Sequence, residues 1–227
     1  MEKNKRKKWN GYLVAGLFMT GLAVFLGSLG YFWTPNSTTA MSAAEKFMAP
    51  SIYHIFGTDN FGRDIFSRVM QGLGTTLLIS TSVVLFSTVA GVLLGAFTGY
   101  FGGILDEILM RITDAVNGFP SILLTLVIIS LLGKGRQNVI IALGIVFIPS
   151  FVRIVRGEFL RLSDDDYIKR AWLMGVGRLR ILFVHFLPNI FSILLVSVMI
   201  GFNNAILAES GMSYLGIGVQ TPDASLG

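Results

Sequence analysis

Few side chains of this protein are suited to covalent chemistry. The sequence contains no cysteine and two histidines, His54 and His185, so it offers neither a disulfide framework nor a thiolate metal site. Gly133 and Lys134 lack the upstream glycine and the following serine or threonine of a nucleotide-binding phosphate loop. We therefore expect no catalytic residue, metal site or cofactor in this chain. We interpret His54 as part of a loop structure rather than a metal ligand, and His185 as a packed side chain rather than a proton carrier.

A cluster of opposite charges lies in the segment HIFGTDNFGRDIFSRVMQG, residues 54–72. It contains Asp59, Arg63, Asp64 and Arg68. Because removing one partner of a partly buried ion pair is costly, we expect these four residues to fix the loop by pairing with one another. The alternative is that they contact a solute.

A second polar segment, residues 153–180, reads RIVRGEFLRLSDDDYIKRAWLMGVGRLR. It is basic at both ends, and such a long connector is uncommon in a compact helical bundle. Three aspartates at 164–166 favour a helix N-terminus, and Gly175 and Gly177 favour a helix end. The pattern predicts a short interfacial helix over residues 167–174. The alternative is a helix that rests on the lipid surface without a partner.

These polar segments are connected by apolar runs of the length that crosses a membrane. The chain is 53% hydrophobic and 14% charged, against about 25% charged in a soluble domain. A helical span needs about 20 apolar residues, and the runs show no alternation typical of barrel strands. We predict an all-α, polytopic transmembrane helical bundle with spans at 9–33, 73–100, 112–132, 139–152 and 181–207. The layout is a basic tail at 1–8, the first transmembrane helix at 9–33, a loop at 34–72 and a core at 73–227.

The distribution of lysine and arginine predicts the orientation. The first eight residues, MEKNKRKK, precede an apolar run that is too long for a signal peptide, so we predict an uncleaved first span over the alternative of a cleaved signal. With the N-terminus inside, thirteen basic residues lie on the inner side and five on the outer side. Because basic residues accumulate in cytoplasmic loops, we predict a multi-pass protein of the cell (inner) membrane with a cytoplasmic N-terminus, a cytoplasmic segment 153–180 and an external loop 34–72.

Two of the predicted spans are poorly suited to contact lipid. The third opens with charged residues, among which Arg111 and Asp114 share a helix face and are expected to pair. The fourth is short and contains Pro149, so we expect other helices to surround it. In the fifth span, Pro188 is expected to kink the helix by removing one backbone hydrogen bond.

Small and polar residues in the spans leave two further questions open. Gly91, Gly95 and Gly99 form a flat stripe, which we assign to packing within the bundle; the alternative is a subunit-specific dimer face. Three polar residues near the end of the fifth span either border a solute pathway or hydrogen-bond neighbouring helices, and we favour the second: Asn203, Asn204 and Glu209.

The polar segment 153–180 and the start of the fifth span resemble the cytoplasmic motif of ABC importer permeases. That motif has the form EAA, three residues, Gly, nine residues, and then a hydrophobic residue, any residue and Leu-Pro. Here its positions are occupied by Lys169, Arg170, Ala171, Gly175, His185, Leu187 and Pro188. Lys169 and Arg170 replace the glutamate and the first alanine, so contacts that depend on a carboxylate are not expected. By this resemblance, the residues that couple the chain to an ATPase are Tyr167, Lys169, Arg170, Ala171, Gly175, Leu187 and Pro188.

The outer segment is similar to the signature H-x-x-G-T-D-x-x-G-R-D-x-x-S-R of one permease subunit in dipeptide, oligopeptide and nickel importers. The stretches MRITDAVNGFPSILL and ESGMSYLGIGVQTPDASLG resemble the same family. The four stretches together cover most of the chain. The signature positions carry Gly57, Thr58, Asp59, Gly62, Arg63, Asp64, Ser67 and Arg68.

The resemblance implies a type I ABC importer permease fold, like that of the methionine importer. It implies a complex of two permease subunits, two cytoplasmic ATPase subunits and an extracytoplasmic solute-binding protein, with ATP and Mg²⁺ held by the ATPase subunits. This chain would form half of a membrane pathway for peptides or for nickel or metal-chelate solutes, with lipid and no nucleic acid as other partners. Members of the family continue into a sixth span, so five spans indicate a truncated or partial chain.

Two other classes of membrane protein fit the sequence less well. A secondary transporter or channel should show repeated halves, interrupted helices in corresponding positions or a ring of charges at mid-membrane, and the sequence shows none. A membrane-embedded enzyme needs a cluster of histidine and carboxylate side chains, but the predicted topology places His54 outside and His185 inside. The sequence does not decide between peptide and metal-chelate substrates.

Overall fold

A computed structural model describes residues 11–177 and 180–227 of the chain. Within these residues the regular secondary structure is helical, apart from one isolated bridge between Thr58 and Asp64, which confirms the all-α prediction. The basic tail, the first two residues of the predicted first span and residues 178–179 lie outside the described part. The helices are α1 (Gly11–Phe32), α2 (Ile65–Phe101), α3 (Gly103–Asn117), α4 (Ser121–Leu132), α5 (Arg136–Ser163), α6 (Asp166–Leu173) and α7 (Leu187–Tyr214), with a single 3-10 turn at Ala43–Glu45 and a π-helical segment, Ile181–Phe186, leading into α7.

Four helical stretches in the described residues are long and apolar enough to cross a membrane. They are Gly11–Phe32, Ile65–Phe101, Arg136–Ser163 and Ile181–Tyr214, and α3 with α4 would make a fifth span if the bent pair is one unit. The prediction of one continuous third span over 112–132 is wrong, because α3 and α4 are bent by 96° at their junction. The physical reason is local: Pro120 restrains the residue before it away from the helical region, so a helix ends there and a new one begins at Ser121.

Three of the other spans extend further than their apolar runs predict. The helix predicted at 73–100 begins at Ile65, since the Asp64 carboxylate accepts a hydrogen bond from the Ser67 backbone N–H (2.8 Å) in the manner of an N-cap. The helix predicted at 139–152 runs to Ser163, and the last helix runs past 207 to Tyr214. Hydrophobicity marks the part of a helix that lies in the bilayer, whereas caps and side-chain pairs decide where the helix stops.

Two ion pairs join α3 to α5. Arg156 forms two hydrogen bonds of 2.6 Å to the carboxylate of Asp106, and Arg153 pairs with Asp114 at 2.7 Å. The predicted pairing of Arg111 with Asp114 is wrong, because Arg111 instead pairs with Glu107 at 2.7 Å, four residues earlier on its own helix.

The first of two compact units runs up to Leu77 and includes Thr221–Leu226. It holds α1, the loop at 34–72 and the start of α2. Gly27 and Gly30 are the buried residues of α1, and a Cβ on Gly30 would collide with the backbone of Met70. Close approach of α1 to the first turns of α2 therefore depends on these small residues.

The second unit runs from Leu78 to Gln220, with Gly227, and holds the rest of the helices. One buried cluster includes Ile79, Val83 and Leu143, and another centres on the stacked rings of Phe159 and Phe186. The glycine stripe of α2 faces α5: a Cβ on Gly95 would lie 2.7 Å from the Val152 carbonyl oxygen, and Gly91 and Gly99 meet α5 side chains in the same way. The stripe thus serves packing within the chain, as predicted.

Candidate functional site

The short helix predicted over 167–174 is present as α6, and its boundaries follow from local chemistry. Asp165 precedes the helix, Asp166 lies in the first turn and Arg170 in the last turn, as the helix dipole favours. At the C-terminal end Gly175 has φ of +74°. The Gly175 N–H donates to Trp172 O (3.0 Å), and the Val176 N–H donates to Ala171 O (3.1 Å). These two bonds form a Schellman motif, which requires a residue that tolerates positive φ.

One face of α6 packs on the neighbouring helices. Ile168 is fully buried and Ala171 nearly so, in the cluster that contains Phe159 of α5 and Phe186. The Trp172 ring stacks on Tyr100 at the end of α2, with ring centroids 5.6 Å apart and planes inclined by 14°. These contacts attach α6 to both α2 and α5.

A third attachment joins α6 to the base of α7. The Asn189 side-chain amide donates to the hydroxyl of Tyr167 (3.0 Å) and to the carbonyl oxygen of His185 (2.6 Å). The ring of Tyr167 also contacts His185, with centroids 6.5 Å apart, in line with the interpretation of His185 as a packed side chain. Burial raises the pKa of Tyr167, and nearby Asp165 adds to this rise, so the phenol remains protonated at neutral pH.

The helix distortion predicted at Pro188 lies one turn earlier. Leu187 and Pro188 form the first turn of α7, where a proline needs no intrahelical donor. The preceding segment, Ile181–Phe186, is π-helical, and the Leu187 N–H donates to Leu182 O, five residues back. A π-helical turn of this kind relieves the clash between a proline ring and the preceding turn.

The opposite face of α6 is exposed and mixed in character. Lys169 and Arg170 are exposed, and Lys169 makes a 3.6 Å ion pair with the exposed Asp164. Two apolar side chains extend beyond them: Leu173 is 88% exposed and Met174 80%. Large exposed apolar side chains rimmed by charge are typical of a protein interaction surface. We call Lys169, Arg170, Leu173 and Met174 the α6 outer face.

The structure thus brings the predicted coupling residues together at one end of α2, α5 and α7. Sequence reasoning missed the contacts that hold α6 in place, those of Trp172 with Tyr100 and of Tyr167 with Asn189, and it also missed Leu173 and Met174. The tryptophan in this short amphipathic helix was the available signal for an anchoring side chain. The partner Tyr100 lies 72 residues earlier in the chain, so no sequence pattern identifies it.

The second group of predicted residues lies in the loop at 34–72. Asp59 and Arg63 form an ion pair at 2.7 Å, and Asp59 also accepts hydrogen bonds from the backbone N–H groups of Phe61 and Arg63. Burial opposes ionisation of Asp59, but the hydrogen bonds from Arg63 outweigh it and lower the pKa of the carboxyl. The predicted mutual pairing is therefore confirmed for Asp59 and Arg63.

For the other two charged residues the predicted pairing is wrong. Asp64, 3% exposed, bonds to His54 Nδ1 at 2.9 Å, and Arg68 donates to the Thr38 carbonyl oxygen at 3.1 Å. Burial would raise the pKa of Asp64, yet hydrogen bonds from Ser67 and then from His54 lower it below its usual value. Asp64 does not pair with an arginine because its carboxylate caps the N-terminus of α2, where it accepts a hydrogen bond from the Ser67 N–H.

The remaining signature residues shape the backbone of the loop. The Thr58 hydroxyl donates to Glu45 O and accepts from the Met48 N–H (2.9 Å). Gly57 and Gly62 have φ of +73° and +77°, and a Cβ on either would collide with a backbone carbonyl oxygen across the loop. Ser67 accepts a hydrogen bond from the Asn36 N–H at 3.0 Å. The loop is a folded structure held by its own polar groups.

Comparison with known proteins gives consistent results. Residues 91–227 match the family model described as the binding-protein-dependent transport system inner membrane component. The chain is 35% identical over 221 residues to a dipeptide transport system permease protein of Alkalihalophilus pseudofirmus, covering 97% of this chain and 73% of the relative. It is 40% identical to a putative peptide transport system permease protein of Brucella suis (93% and 71%). It is 34% identical to a glutathione transport system permease protein of Pectobacterium atrosepticum (96% and 74%).

Proposed function

The chain belongs to the family of binding-protein-dependent transport system inner membrane components, the permeases of ABC importers, and on this premise we propose that it forms half of a peptide pathway and couples to ATPase subunits through α6. A member of this family is a transport component rather than an enzyme. The relatives compared above carry names that specify peptides, dipeptides or glutathione, which supports peptides as the substrate class over nickel or metal chelates.

The observation that carries the coupling proposal is the attachment of α6. This helix is joined to α2 by the Trp172–Tyr100 stack, to α5 by buried Ile168, and to α7 by the Asn189–Tyr167 hydrogen bond. A force on the α6 outer face would therefore act on three membrane helices at once. Movement of packed helices as rigid bodies is one established way to switch between two states.

We assign the partners by the same reasoning. Each ATPase subunit would offer a groove to one α6 segment, in which Leu173 and Met174 become buried. A second permease subunit would complete the pathway, and an external binding protein would deliver the solute to the side of the 34–72 loop. The acidic carboxylate that the family motif provides is absent at Lys169, so docking here would depend on shape and apolar contact.

Orientation in the membrane is tested by labelling single cysteines, which is straightforward because the native chain has none. The basic-residue distribution predicts that Met174→Cys reacts with an impermeant thiol reagent only in inside-out vesicles, whereas Ile52→Cys, at a position 97% exposed in the outer loop, reacts in intact cells. Both positions are highly exposed, so each is the control for the other. Reaction of Met174→Cys in intact cells would contradict the proposed topology.

A further inference from the structure

Two adjoining cavities of about 450 and 220 Å³ lie against α5 and α7 within the second unit. Both are lined by Phe147, Ser150 and Asn204. The larger extends to Asn117 at the bend between α3 and α4, and the smaller extends to Ser197. We call this pair of cavities the polar trough. Its volume is in the range of pockets that hold small organic ligands.

The trough places polar side chains deep in the membrane-crossing helices. Ser150 lies midway along the 28 residues of α5, and Ser197 lies midway along the helical stretch Ile181–Tyr214. Polar groups at this depth are costly in contact with lipid and normally face a protein interior or water. The face that carries them therefore lines either a water-filled space or another subunit.

The polar residues of this region differ in whether their side chains are hydrogen-bonded within the chain. Among the residues that the structure describes, the side chains of Asn204 and Ser150 donate to no other part of the chain. Glu209, in contrast, is fully buried and accepts a hydrogen bond from Ser213 at 2.8 Å. The Ser213 hydroxyl lies four residues further along α7, so this bond does not test the expected contact of Glu209 with a neighbouring helix. For Asn204, the expected hydrogen bond to a neighbouring helix is not found among the described residues. The amide of Asn204 is available to a group from outside the chain.

The chemistry of the lining matches a peptide backbone. The polar lining side chains are amides and hydroxyls, and the others are apolar. An asparagine amide both donates and accepts hydrogen bonds, as a peptide bond does. Peptide bonds are common to all peptides, whereas their side chains differ in size and charge. A neutral lining of this kind would pass peptides with little discrimination by side-chain charge.

We propose that Ser150 and Asn204 line this chain's share of the solute pathway and hydrogen-bond the backbone of a peptide in transit. This inference rests on the proposed function as a peptide permease and adds the site and its selectivity. Phe147 lines both cavities and contributes an apolar ring to the trough. The alternative occupant of the trough is a helix of the second permease subunit.

The first test places a charge in the trough. In the complete transporter reconstituted in vesicles, Asn204→Asp should lower uptake of Ala-Asp relative to Ala-Lys at least tenfold compared with the wild-type ratio, because like charges repel strongly near protein. Asn203→Asp is the matched control: Asn203 is also exposed on the same helix but lines neither cavity, so its ratio should equal the wild-type ratio. An Asn204→Asp ratio equal to wild type, in a complex that takes up both peptides, would overturn the proposal.

The second test does not depend on the solute. Ser150→Cys and Asn204→Cys in the assembled complex should react with a water-soluble methanethiosulfonate at least tenfold faster than Val196→Cys, a half-exposed position of α7 outside the trough. Thiols react as thiolates, which form in water and not in lipid. Equal, slow reaction at all three positions would show that a partner helix or lipid covers this face, and would overturn the proposal. Fast reaction in a complex that takes up no peptide would instead contradict the assignment of peptides as the substrate. The trough would then be a pathway for another solute.

Discussion

Replacing Gly175 with valine is expected to abolish most ATP-dependent transport while leaving insertion of the chain in the membrane unchanged. Gly175 closes α6 with φ of +74°, a conformation that a β-branched residue adopts only with strain. The variant would lose the Schellman turn, and Leu173 and Met174 would no longer be presented at a fixed position. We expect the association with the ATPase subunit to weaken at least tenfold. This change corresponds to a loss of about 1.4 kcal/mol of binding free energy.

Two further variants separate backbone strain from side-chain bulk. Gly177→Val adds the same side chain at a glycine without positive φ, where a Cβ meets nothing within 4 Å, and should transport normally. Gly175→Asn should retain partial transport, because asparagine tolerates the left-handed region. Co-purification of the ATPase subunit and the ratio of transport to ATP hydrolysis measure the effect. Full ATPase association and full transport in Gly175→Val would contradict the role of α6.

Lys169→Glu tests whether the ATPase surface that binds α6 is acidic. This change restores the residue that is commoner in the family motif and breaks only an exposed 3.6 Å pair with Asp164, whose contribution to stability is small. A mild effect would indicate docking by shape and apolar contact, as proposed. A severe effect would indicate an acidic groove on the ATPase that matches Lys169.

The second large effect is expected in the outer loop, where Asp64→Ala should sharply reduce the amount of assembled protein at the membrane. Asp64 caps α2 through the Ser67 N–H and bonds to His54, and it is almost fully buried. Loss of an N-cap alone costs about 0.5–2 kcal/mol, and the partly buried His54 ring would lose its partner as well. Protease sensitivity of the loop in right-side-out vesicles, with the yield of complex, measures the outcome.

A control and a pH series strengthen this test. Glu45→Gln removes an exposed carboxylate from the same loop and should assemble normally. Because the folded pKa of Asp64 lies below the ordinary pKa of an aspartate, its contribution to stability is complete above that ordinary pKa and is lost as pH falls through the folded pKa. Wild-type protection should therefore decline only below about pH 4. Normal assembly of Asp64→Ala with altered solute affinity would favour the solute-contact alternative.

The sequence predicted α6 closely because its signals are local. The aspartates at 164–166 and Gly175 act within one or two turns of the helix that they delimit, and the observed helix, Asp166–Leu173, differs from the predicted 167–174 by one residue at each end. The sharp bend before α4 was missed although its signal, Gly118-Phe119-Pro120, was present. The apolar run on both sides of that tripeptide favours one span when hydrophobicity alone is considered.

Partners from distant parts of the chain account for what the sequence did not predict. Asp114 pairs with Arg153, 39 residues away, rather than with Arg111 on its own helix. Arg68 bonds to a backbone carbonyl 30 residues earlier. A charge pattern shows that such residues need partners, but the packing of the helices and the loop backbone decide which groups come within reach.

The central claim is that the α6 outer face docks on the ATPase subunit, and cross-linking tests it most directly. A photo-reactive amino acid at Leu173, 88% exposed at the end of α6, should cross-link to the ATPase subunit in the assembled transporter, with a yield that changes when ATP is hydrolysed. The same amino acid at Ile52, in the outer loop, should give no ATPase product. An ATPase cross-link from Ile52, or none from Leu173 in a complex that transports peptide, would contradict the account.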